Sequence, residues 1–263
     1  MKISIIIVNS NNRVGLKKTV ESVVAQTFSD YELIIINNDS AEDAYEWIKK
    51  YDKKVSLWID EPEKGVFRAR NKGLDASHGE YLLFLHSGDI LCDENVLLNV
   101  VPLLNDKDLY LASIADNDVE SMNDKEPDIC SALVLTPMFD RLMIARREVF
   151  DEYGKYREDI SVLSEWWLLY NAVILNNASV ERLPRRICIH DCRRLLNIDI
   201  NMIESEREKL LSDYPRVRCI DDFYRDNYEI LNAMTSSRLS FFVFRVYYYF
   251  YRKFMWIAYR QRI

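Results

Sequence analysis

Two segments near the start of the chain are almost entirely apolar and β-branched, and each ends abruptly in polar residues. Residues 2–8 are Lys-Ile-Ser-Ile-Ile-Ile-Val, and residues 31–36 are Tyr-Glu-Leu-Ile-Ile-Ile. Runs of this kind are typical of strands that are buried on both faces of a parallel sheet. Between them, apolar residues recur at helical spacing over residues 15–27, which predicts a packing helix. The pattern therefore predicts an α/β protein with a mostly parallel central sheet.

The segment from residue 61 to residue 89 predicts where a ligand binds. It consists of an acidic-Pro turn, a short polar helix and an apolar strand, and the strand stops at His-Ser-Gly-Asp, residues 86–89. In an open α/β sheet, ligands bind beyond the carboxyl ends of the strands, where the chain leaves the core. We therefore expect Asp89 to face a ligand-binding crevice.

Composition narrows the class of protein. The 263 residues include five scattered cysteines and no Cys-x-x-Cys pair, a usage typical of reduced cytosolic thiols. The N-terminus lacks the basic and apolar regions of a secretory signal, so we expect a cytoplasmic location. The net charge is −7, and all residues from 236 onward are basic or neutral, so the rest of the chain is more acidic still. An acidic body disfavours nucleic acid as a partner.

The C-terminal segment, residues 238–262, is rich in aromatic side chains and has no acid. Arg238, Arg245 and Arg252 recur every seven residues and so share one helical stripe. Arginines interrupt the apolar run too often for a membrane-spanning helix, whereas aromatic bulk with a basic stripe suits the membrane surface. We therefore predict an in-plane membrane anchor. The alternative is a helix that packs on the domain or on a second subunit, in a homodimer.

Several motifs occur in an order that resembles a known family. They are Ser4-Ile-Ile-Ile-Val-Asn, Gln26-Thr-Phe, Asp30-Tyr-Glu-Leu-Ile-Ile-Ile, Glu61-Pro-Glu-Lys-Gly, Asn71-Lys-Gly and Gly79-Glu-Tyr-Leu-Leu-Phe-Leu-x-Ser-Gly-Asp89. The set resembles the family 2 glycosyltransferases with a GT-A fold, and within them the bacterial surface-polysaccharide branch of colanic acid and capsule biosynthesis. The resemblance is close over the first two fifths of the chain and looser to about residue 190.

The resemblance implies a fold and an activity. The fold is GT-A, with a Rossmann-like, mostly parallel sheet flanked by helices over residues 1–195 and a helical extension over residues 196–263. Residues 1–104 would bind the nucleotide-sugar and residues 105–195 the acceptor. The implied reaction is an inverting, metal-assisted transfer from a nucleotide diphosphate donor to a lipid-linked saccharide. It would take place on the inner face of a bacterial plasma membrane, in surface-polysaccharide biosynthesis.

The resemblance also implies metal ligands. Asp89 matches the acid that the family retains after the fourth strand, and His190 matches a late histidine that many GT-A enzymes direct to the metal. His86 stands where relatives have Asn or Asp. An imidazole ligates Mn²⁺ better than Mg²⁺, so a metal held by His86 would be manganese rather than magnesium. The alternative for His86 is a strand-end histidine that hydrogen-bonds to the backbone.

A general base is expected on the acceptor side. Glu165 aligns with the presumed catalytic acid of relatives, and the flanking Trp166 and Trp167 could stack on an acceptor sugar. Each has a structural alternative. A Glu after Ser164 also suits the start of a helix, and two tryptophans also fill a core.

The donor site implied by the family draws on the ends of three strands and on one helix. Its members here are Val8, Asn9, Ser10, Asn37, Asp39, Arg70, Asn71, Lys72, Ser87 and Gly88. Asn37 replaces an Asp that accepts the uracil N3–H, and its amide can make the same contact, which favours a UDP-sugar. Asp39 has turn formation as its alternative. Ser10, Asn37, Arg68 and His86 all depart from relatives, so an inactive nucleotide-sugar-binding scaffold at the membrane is the competing hypothesis.

Overall fold

The structure is a computed structural model, and it describes residues 1–38, 47–61, 65–112, 114–115, 142–184, 186–189 and 199–214. The chain divides into two compact units, residues 1–210 and residues 211–263. Only the first four residues of the second unit are described, so the predicted anchor at 238–262 lies outside the described residues. The predicted domain boundary at residue 195 falls in a segment that is not described either, and it stays a prediction.

The first unit alternates strands and helices along the chain. Its strands are β1 (Ile3–Asn9), β2 (Tyr31–Asn37), β3 (Leu57–Asp60), β4 (Tyr81–His86), β5 (Ile90–Leu91), β6 (Leu109–Ala112), β7 (Ile114–Ala115), β8 (Leu142–Arg146), β9 (Val180–Arg182) and β10 (Cys188–Ile189). The helices are α1 (Arg13–Val24), α2 (Val66–Asp75), α3 (Val96–Val100), α4 (Arg147–Tyr153), α5 (Ser164–Leu169) and α6 (Ile200–Leu211). Lys49–Tyr51 and Val101–Leu103 are 3₁₀ turns, and Tyr170–Leu175 continues α5 as a π-helix.

Seven strands form the central sheet, in the order β3-β2-β1-β4-β8-β6-β9. The first four of these are mutually parallel, β8 is antiparallel to both β4 and β6, and β9 is parallel to β6. A second, small sheet has the order β5-β10-β7. The prediction of an α/β fold with a mostly parallel sheet is confirmed. Because β1 to β4 run in one direction, their carboxyl ends meet at one edge of the sheet.

The core explains why the two apolar runs are uninterrupted. Every residue of β1 is buried, and so is every residue of β2 after Tyr31, because helices cover both faces of the sheet. Helix α1 packs Leu16, Val20 and Val23 into this core. On the other face, a β-carbon at Gly73 would lie 2.4 Å from the Ile6 side chain, so only glycine lets α2 approach this closely.

Helix α6 belongs to the first unit, except for its final residue, Leu211. Its apolar positions Ile203 and Leu210 are buried, as their spacing predicts. No helix in the described part of the chain has the length and apolar character needed to cross a membrane.

Glu32 is a buried carboxylate near the amino ends of β1 and β2. One of its oxygens accepts hydrogen bonds from the Ser4 hydroxyl at 2.6 Å, from the Gly79 N–H at 3.1 Å and from the His78 N–H. Burial acts to raise the pKa of Glu32, but the hydrogen bonds from Ser4 and His78 outweigh it, so the pKa lies below its ordinary value. The charged form of Glu32 therefore ties the turn before β4 to the sheet.

We expect Glu32→Gln to lower the free energy of unfolding by about 1–3 kcal/mol at pH 7, because a neutral amide oxygen accepts weaker hydrogen bonds than the charged carboxylate does. Glu32 has a lowered pKa in the folded state, so its contribution is present above its unfolded-state pKa and is lost as the pH falls through the folded-state value. The difference between wild type and variant should shrink from pH 7 towards pH 3 in urea unfolding. Glu94→Gln, at an exposed carboxylate, is the control. An equal loss in both variants would contradict this role.

Candidate active site

A row of hydrogen-bonded polar side chains runs along the carboxyl edge of the sheet. The Ser87 hydroxyl donates to Asn9 Oδ1 at 2.7 Å, Asn9 Nδ2 donates to Asn37 Oδ1 at 2.8 Å, and Asn37 Nδ2 donates to Asp60 Oδ1 at 2.9 Å. The register of the strands makes this row, because Asn9 lies opposite Asn37 and Asn37 lies opposite Asp60. Asn9 and Asn37 are buried, whereas Asp60 is exposed at the end of the row. The row offers amide and carboxylate groups to a polar planar ligand.

The turn after β4 is fixed by its own residues and by α1. The N–H of Asp89 donates to the His86 carbonyl at 3.0 Å, and Asp89 Oδ2 accepts from the His86 N–H at 2.7 Å. Gly88 has φ +113°, a conformation that favours glycine. The Thr19 hydroxyl accepts from the Gly88 N–H at 2.9 Å and donates to the His86 carbonyl at 3.2 Å. Asp89 is 2% exposed, so the turn holds a buried carboxylate at the sheet edge.

Beside this turn lies a buried guanidinium. Arg70 comes from the middle of α2 and is only 3% exposed. Its Nη1 lies 2.8 Å from Glu165 Oε2, and its Nη2 lies 2.6 Å from His86 Nε2. Arg70 thus joins α2, the end of β4 and the start of α5 at one point.

Aromatic rings surround the guanidinium of Arg70. Its central carbon lies 5.7 Å from the ring centroid of Phe67, 5.5 Å from that of Phe84 and 5.1 Å from that of Tyr156. These are distances at which a cation is attracted to an aromatic ring. Burial raises the pKa of Tyr156 well above its ordinary value, against the opposing effect of Arg70, so its phenol stays neutral. The surroundings exclude water without adding charge.

The charge on Arg70 persists in spite of its burial. Burial acts to lower the pKa of Arg70, but the carboxylate of Glu165, with a smaller effect from Asp89, raises it above its ordinary value. Two acids from different elements thus act on one cation. The arrangement concentrates charge in a dry part of the sheet edge, where electrostatic interactions are strong.

The state of His86 follows from its contact with Arg70. A guanidinium only donates hydrogen bonds, so His86 Nε2 must be the acceptor and the ring proton must be on Nδ1. His86 in this geometry uses the nitrogen that would otherwise bind a metal. The described residues contain no group of three His, Cys, Asp or Glu side chains that could hold a metal ion. They do not form a metal site by themselves, Asp89 as a metal ligand stays a prediction, and His190 lies outside them.

Glu165 lies in the first turn of α5, and its side chain is 26% exposed. It is therefore held by Arg70 at one oxygen and is partly open to solvent. Trp166 and Trp167 are 2% and 8% exposed, and both pack against Tyr170, with ring centroids 4.9 and 6.2 Å away. Their burial favours the core-filling alternative over stacking on a sugar.

Two residues predicted to bind the donor have protein partners in this structure. The Asn71 amide accepts from the Tyr156 N–H at 3.0 Å and donates to the Tyr156 carbonyl at 2.8 Å, so it fastens α2 to the segment before α5. Lys72 forms an ion pair with Glu61, which is buried. Arg68 Nε also lies 3.5 Å from Glu61. These contacts assign Asn71 and Lys72 a structural role here, and their contact with a donor stays a prediction.

The structure thus brings many of the predicted residues to one edge of the sheet. Those are Asn9, Asn37, Arg70, His86, Ser87, Gly88, Asp89 and Glu165. Val8 is buried next to them and Ser10 is exposed at the end of β1. Asp39, like His190, lies outside the described residues.

Sequence reasoning missed three contributors to the site. Asp60 ends β3 and so could have been found from the same strand-end rule that selected Asn37. Asn12 caps α1 and donates from Nδ2 to the Ser87 carbonyl at 2.9 Å. Tyr156 has no sequence signal, because its place beside Arg70 results from a contact between residues far apart in the chain.

We expect Arg70→Lys to lower the free energy of unfolding by about 1–3 kcal/mol, because one ammonium cannot reproduce the two-sided fork between Glu165 and His86. Arg68→Lys on the same helix is the matched control, since Arg68 is about half exposed and lies 3.5 Å or more from its acids. We expect that control to stay within about 0.5 kcal/mol of wild type. Urea unfolding measures both. Equal stability of the two variants would show that the buried fork contributes nothing.

Comparison with known proteins identifies a family over the first part of the chain. The profile described as Glycosyl transferase family 2 matches residues 4–158, which is more than half of the chain and ends before Glu165. An uncharacterized glycosyltransferase of Mycobacterium tuberculosis is 32% identical over 106 residues, which are 40% of this chain and 40% of that protein. Glycosyltransferase GlyA of Streptococcus pneumoniae is 24% identical over 176 residues, which are 65% of this chain and 24% of that protein. The chain thus spans well under two thirds of the length of these relatives.

Solved structures share the fold at low sequence identity. TarS 1–349 of S. aureus in complex with UDP-GlcNAc has a TM-score of 0.61 at 16% identity, covering 76% of this chain and 62% of that chain. The mannosyltransferase PcManGT of Pyrobaculum calidifontis, in complex with GDP-Man and Mn²⁺, has a TM-score of 0.55 at 16% identity, covering 72% and 56%. These likenesses support the GT-A-like architecture. With the family match over residues 4–158, they lead to one conclusion: the chain belongs to glycosyl transferase family 2.

Proposed function

We propose that the protein is a glycosyltransferase that transfers a sugar from a nucleotide diphosphate donor, with a UDP-sugar favoured. The observation that carries the proposal is the cluster of Arg70, Glu165 and Asp89 at the carboxyl edge of the sheet. From the family resemblance, we expect the donor to bind at that edge. Transfer from a diphosphate develops negative charge, which fixed charged groups at a buried site can stabilise.

The polar row along the strand ends supports a uracil-containing donor. Uracil presents two carbonyls and one N–H, and the amides of Asn9 and Asn37 with the carboxylate of Asp60 offer both donors and acceptors in one line. TarS, which has the same fold, binds UDP-GlcNAc, and this supports the same nucleotide here.

The diphosphate needs positive charge. A divalent cation, with Mn²⁺ favoured over Mg²⁺, is supported by the Mn²⁺ complex of the structural neighbour PcManGT. Asp89 is the described carboxylate that would hold it, and the cation would neutralise charge on the leaving diphosphate. The described residues alone do not make a metal site, and the proposed proton transfer depends on Arg70 and Glu165.

Glu165 is the proposed general base. Among the described contacts, Arg70 engages its Oε2. The other oxygen, Oε1, would take the proton from the acceptor hydroxyl as that hydroxyl attacks the donor sugar. Arg70 orients the carboxylate through this contact. Inversion of the sugar centre, as the resemblance implies, would follow from a single displacement.

The acceptor and the location are the finer part of the proposal. We infer a lipid-linked saccharide acceptor in surface-polysaccharide biosynthesis, at the inner face of a bacterial plasma membrane. A glycosyltransferase of PGL/p-HBAD biosynthesis in Mycobacterium bovis, 25% identical over 170 residues, is among the relatives. The basic, aromatic sequence of residues 238–262 supports contact with the membrane surface.

An inactive scaffold is the second candidate function. The observation that favours it is the engagement of His86 and Lys72 by protein groups, Arg70 and Glu61, at positions where a metal contact and a donor contact are expected. Such a protein would still bind a nucleotide-sugar, but it would not turn the donor over.

Substitutions at Asp89 and at Glu165 should affect different steps, donor binding in the first case and sugar transfer in the second. Asp89→Asn keeps an oxygen for the His86 N–H but removes the charge, so we expect it to weaken UDP binding about tenfold or more, mainly when Mn²⁺ is present. Glu165→Gln keeps an oxygen for Arg70, so UDP binding should persist. Release of UDP from UDP-glucose or UDP-N-acetylglucosamine should fall by about 10²–10⁴ in that variant. Calorimetry with UDP, GDP and TDP, with and without Mn²⁺, measures the first effect.

Three outcomes of this experiment would contradict the proposal. Wild type that binds UDP no better than GDP would overturn the uracil preference. Full turnover in Glu165→Gln would remove the general base, and binding without any turnover in wild type would favour the scaffold. Asp151→Asn, at an exposed carboxylate of α4, is the control for general effects of charge removal.

The membrane contact is tested by deleting residues 238–262. We expect the full chain to sediment with vesicles that contain anionic lipid and the truncated chain to stay in the supernatant, because about 1 kcal/mol per basic residue would be lost. Neutral vesicles are the control. If the truncated chain sediments equally well, the anchor is not in this segment.

A further inference from the structure

Helix α6 lies against the segment that leads into α5. The carboxylate of Glu206 accepts three consecutive backbone N–H groups, from Ser161 at 2.7 Å and from Val162 and Leu163 at 2.9 Å each. These N–H groups precede the first turn of α5, where the backbone has no helical partner for them. One side chain from a distant part of the chain therefore fixes the entry to the helix that carries Glu165.

Two neighbours of Glu206 bind the same segment. The buried guanidinium of Arg207 lies 5.7 Å from the ring centroid of Trp166. Lys209 Nζ lies 2.8 Å from Asp159 Oδ2 and donates to the Asp159 carbonyl at 3.1 Å. Hydrogen bonds from Arg157 and Lys209 lower the pKa of Asp159, so this pair is charged at neutral pH. Three nearly consecutive side chains of α6 thus contact residues 159–166.

The length of α5 makes this support necessary. The helix has only six residues before it continues as a π-helix, and no side chain of its own caps its start. Glu165 is the second residue of α5, so its position depends on how the first turn begins. Arg70 fixes only the carboxylate end of Glu165, whereas Glu206 holds the backbone two to four residues before it.

We propose that Glu206 is a positioning residue, which sets the place of Glu165 for proton transfer through the three N–H groups of Ser161, Val162 and Leu163. The inference rests on the proposed function, because it assigns a task to the same general base. It also extends the site beyond the family match, which ends at residue 158, to a helix about 40 residues further along the chain.

The test compares Glu206→Gln with Glu208→Gln, an exposed carboxylate two residues along the same helix. An amide at position 206 would turn its NH₂ towards an N–H donor, so one or two of the three bonds would be lost. We expect Glu206→Gln to lower kcat for UDP release from UDP-glucose or UDP-N-acetylglucosamine about tenfold to a hundredfold, because small misplacement of a catalytic group is costly. The KM for the donor should be unchanged, and Glu208→Gln should match wild type.

The same substitution in a Glu165→Gln background separates positioning from stability. If Glu206 acts through Glu165, the substitution at 206 should lower the melting temperature in both backgrounds but lower kcat only where Glu165 is present. Equal loss of kcat in both backgrounds would overturn the proposal, and so would unchanged kcat in the single variant. Rescue by Glu206→Asp is not expected, because a shorter side chain cannot reach all three N–H groups.

Hydrogen exchange gives a readout that does not depend on turnover. We expect the amides of residues 161–165 to exchange at least about tenfold faster in Glu206→Gln than in wild type, and no change in Glu208→Gln. Unchanged protection would overturn the positioning role. If wild type turns over no donor, or Glu165→Gln is fully active, the proposed function fails. Hydrogen exchange then still decides whether Glu206 fixes this segment.

Discussion

The ion pair between Arg70 and Glu165 is the interaction on which the candidate site depends. It joins α2 to α5, and it does so inside a wall of aromatic rings. A buried guanidinium without its acid would be costly, so the folded state requires both partners to be in place. The position of the Glu165 carboxylate is therefore determined by the same contact that holds the two helices together.

The parallel strands supply the other half of the geometry. Because β1, β2, β3 and β4 end at one edge, residues far apart in sequence become neighbours in the row Ser87, Asn9, Asn37 and Asp60. The turn after β4 then brings Asp89 back to the same edge. The sheet and the turn after β4 thus place the polar row and Asp89, while α2 and α5 place Arg70 and Glu165.

The sequence predicted the sheet well, because a strand buried on two faces leaves a pattern in consecutive residues that no surface segment matches. The residues at strand ends followed from it. The sequence did not predict which side chains on the helices are buried. Arg68 and Arg70 look alike in sequence, yet one is half exposed and the other buried, since only the docking of α2 through Gly73 decides which side faces the core. For Trp166 and Trp167, the sequence allowed both stacking on a sugar and filling the core, because it does not show how α5 packs. Glu206 could not have been found, because its partners lie more than 40 residues away and are backbone groups.

The departures from the family pattern raise the question of whether the protein has lost its activity. The resemblance implies an Asp where this chain has Asn37, and here a carboxylate, Asp60, ends the next strand and accepts a hydrogen bond from Asn37 itself. It implies an acid or amide where this chain has His86, and here the imidazole accepts from Arg70, as an acid or amide oxygen could. Arg68, another expected departure, lies beside the acid Glu61. Asn37 thus keeps a carboxylate beside it at the edge of the sheet, and this contact favours an enzyme with an altered donor site over an inactive scaffold.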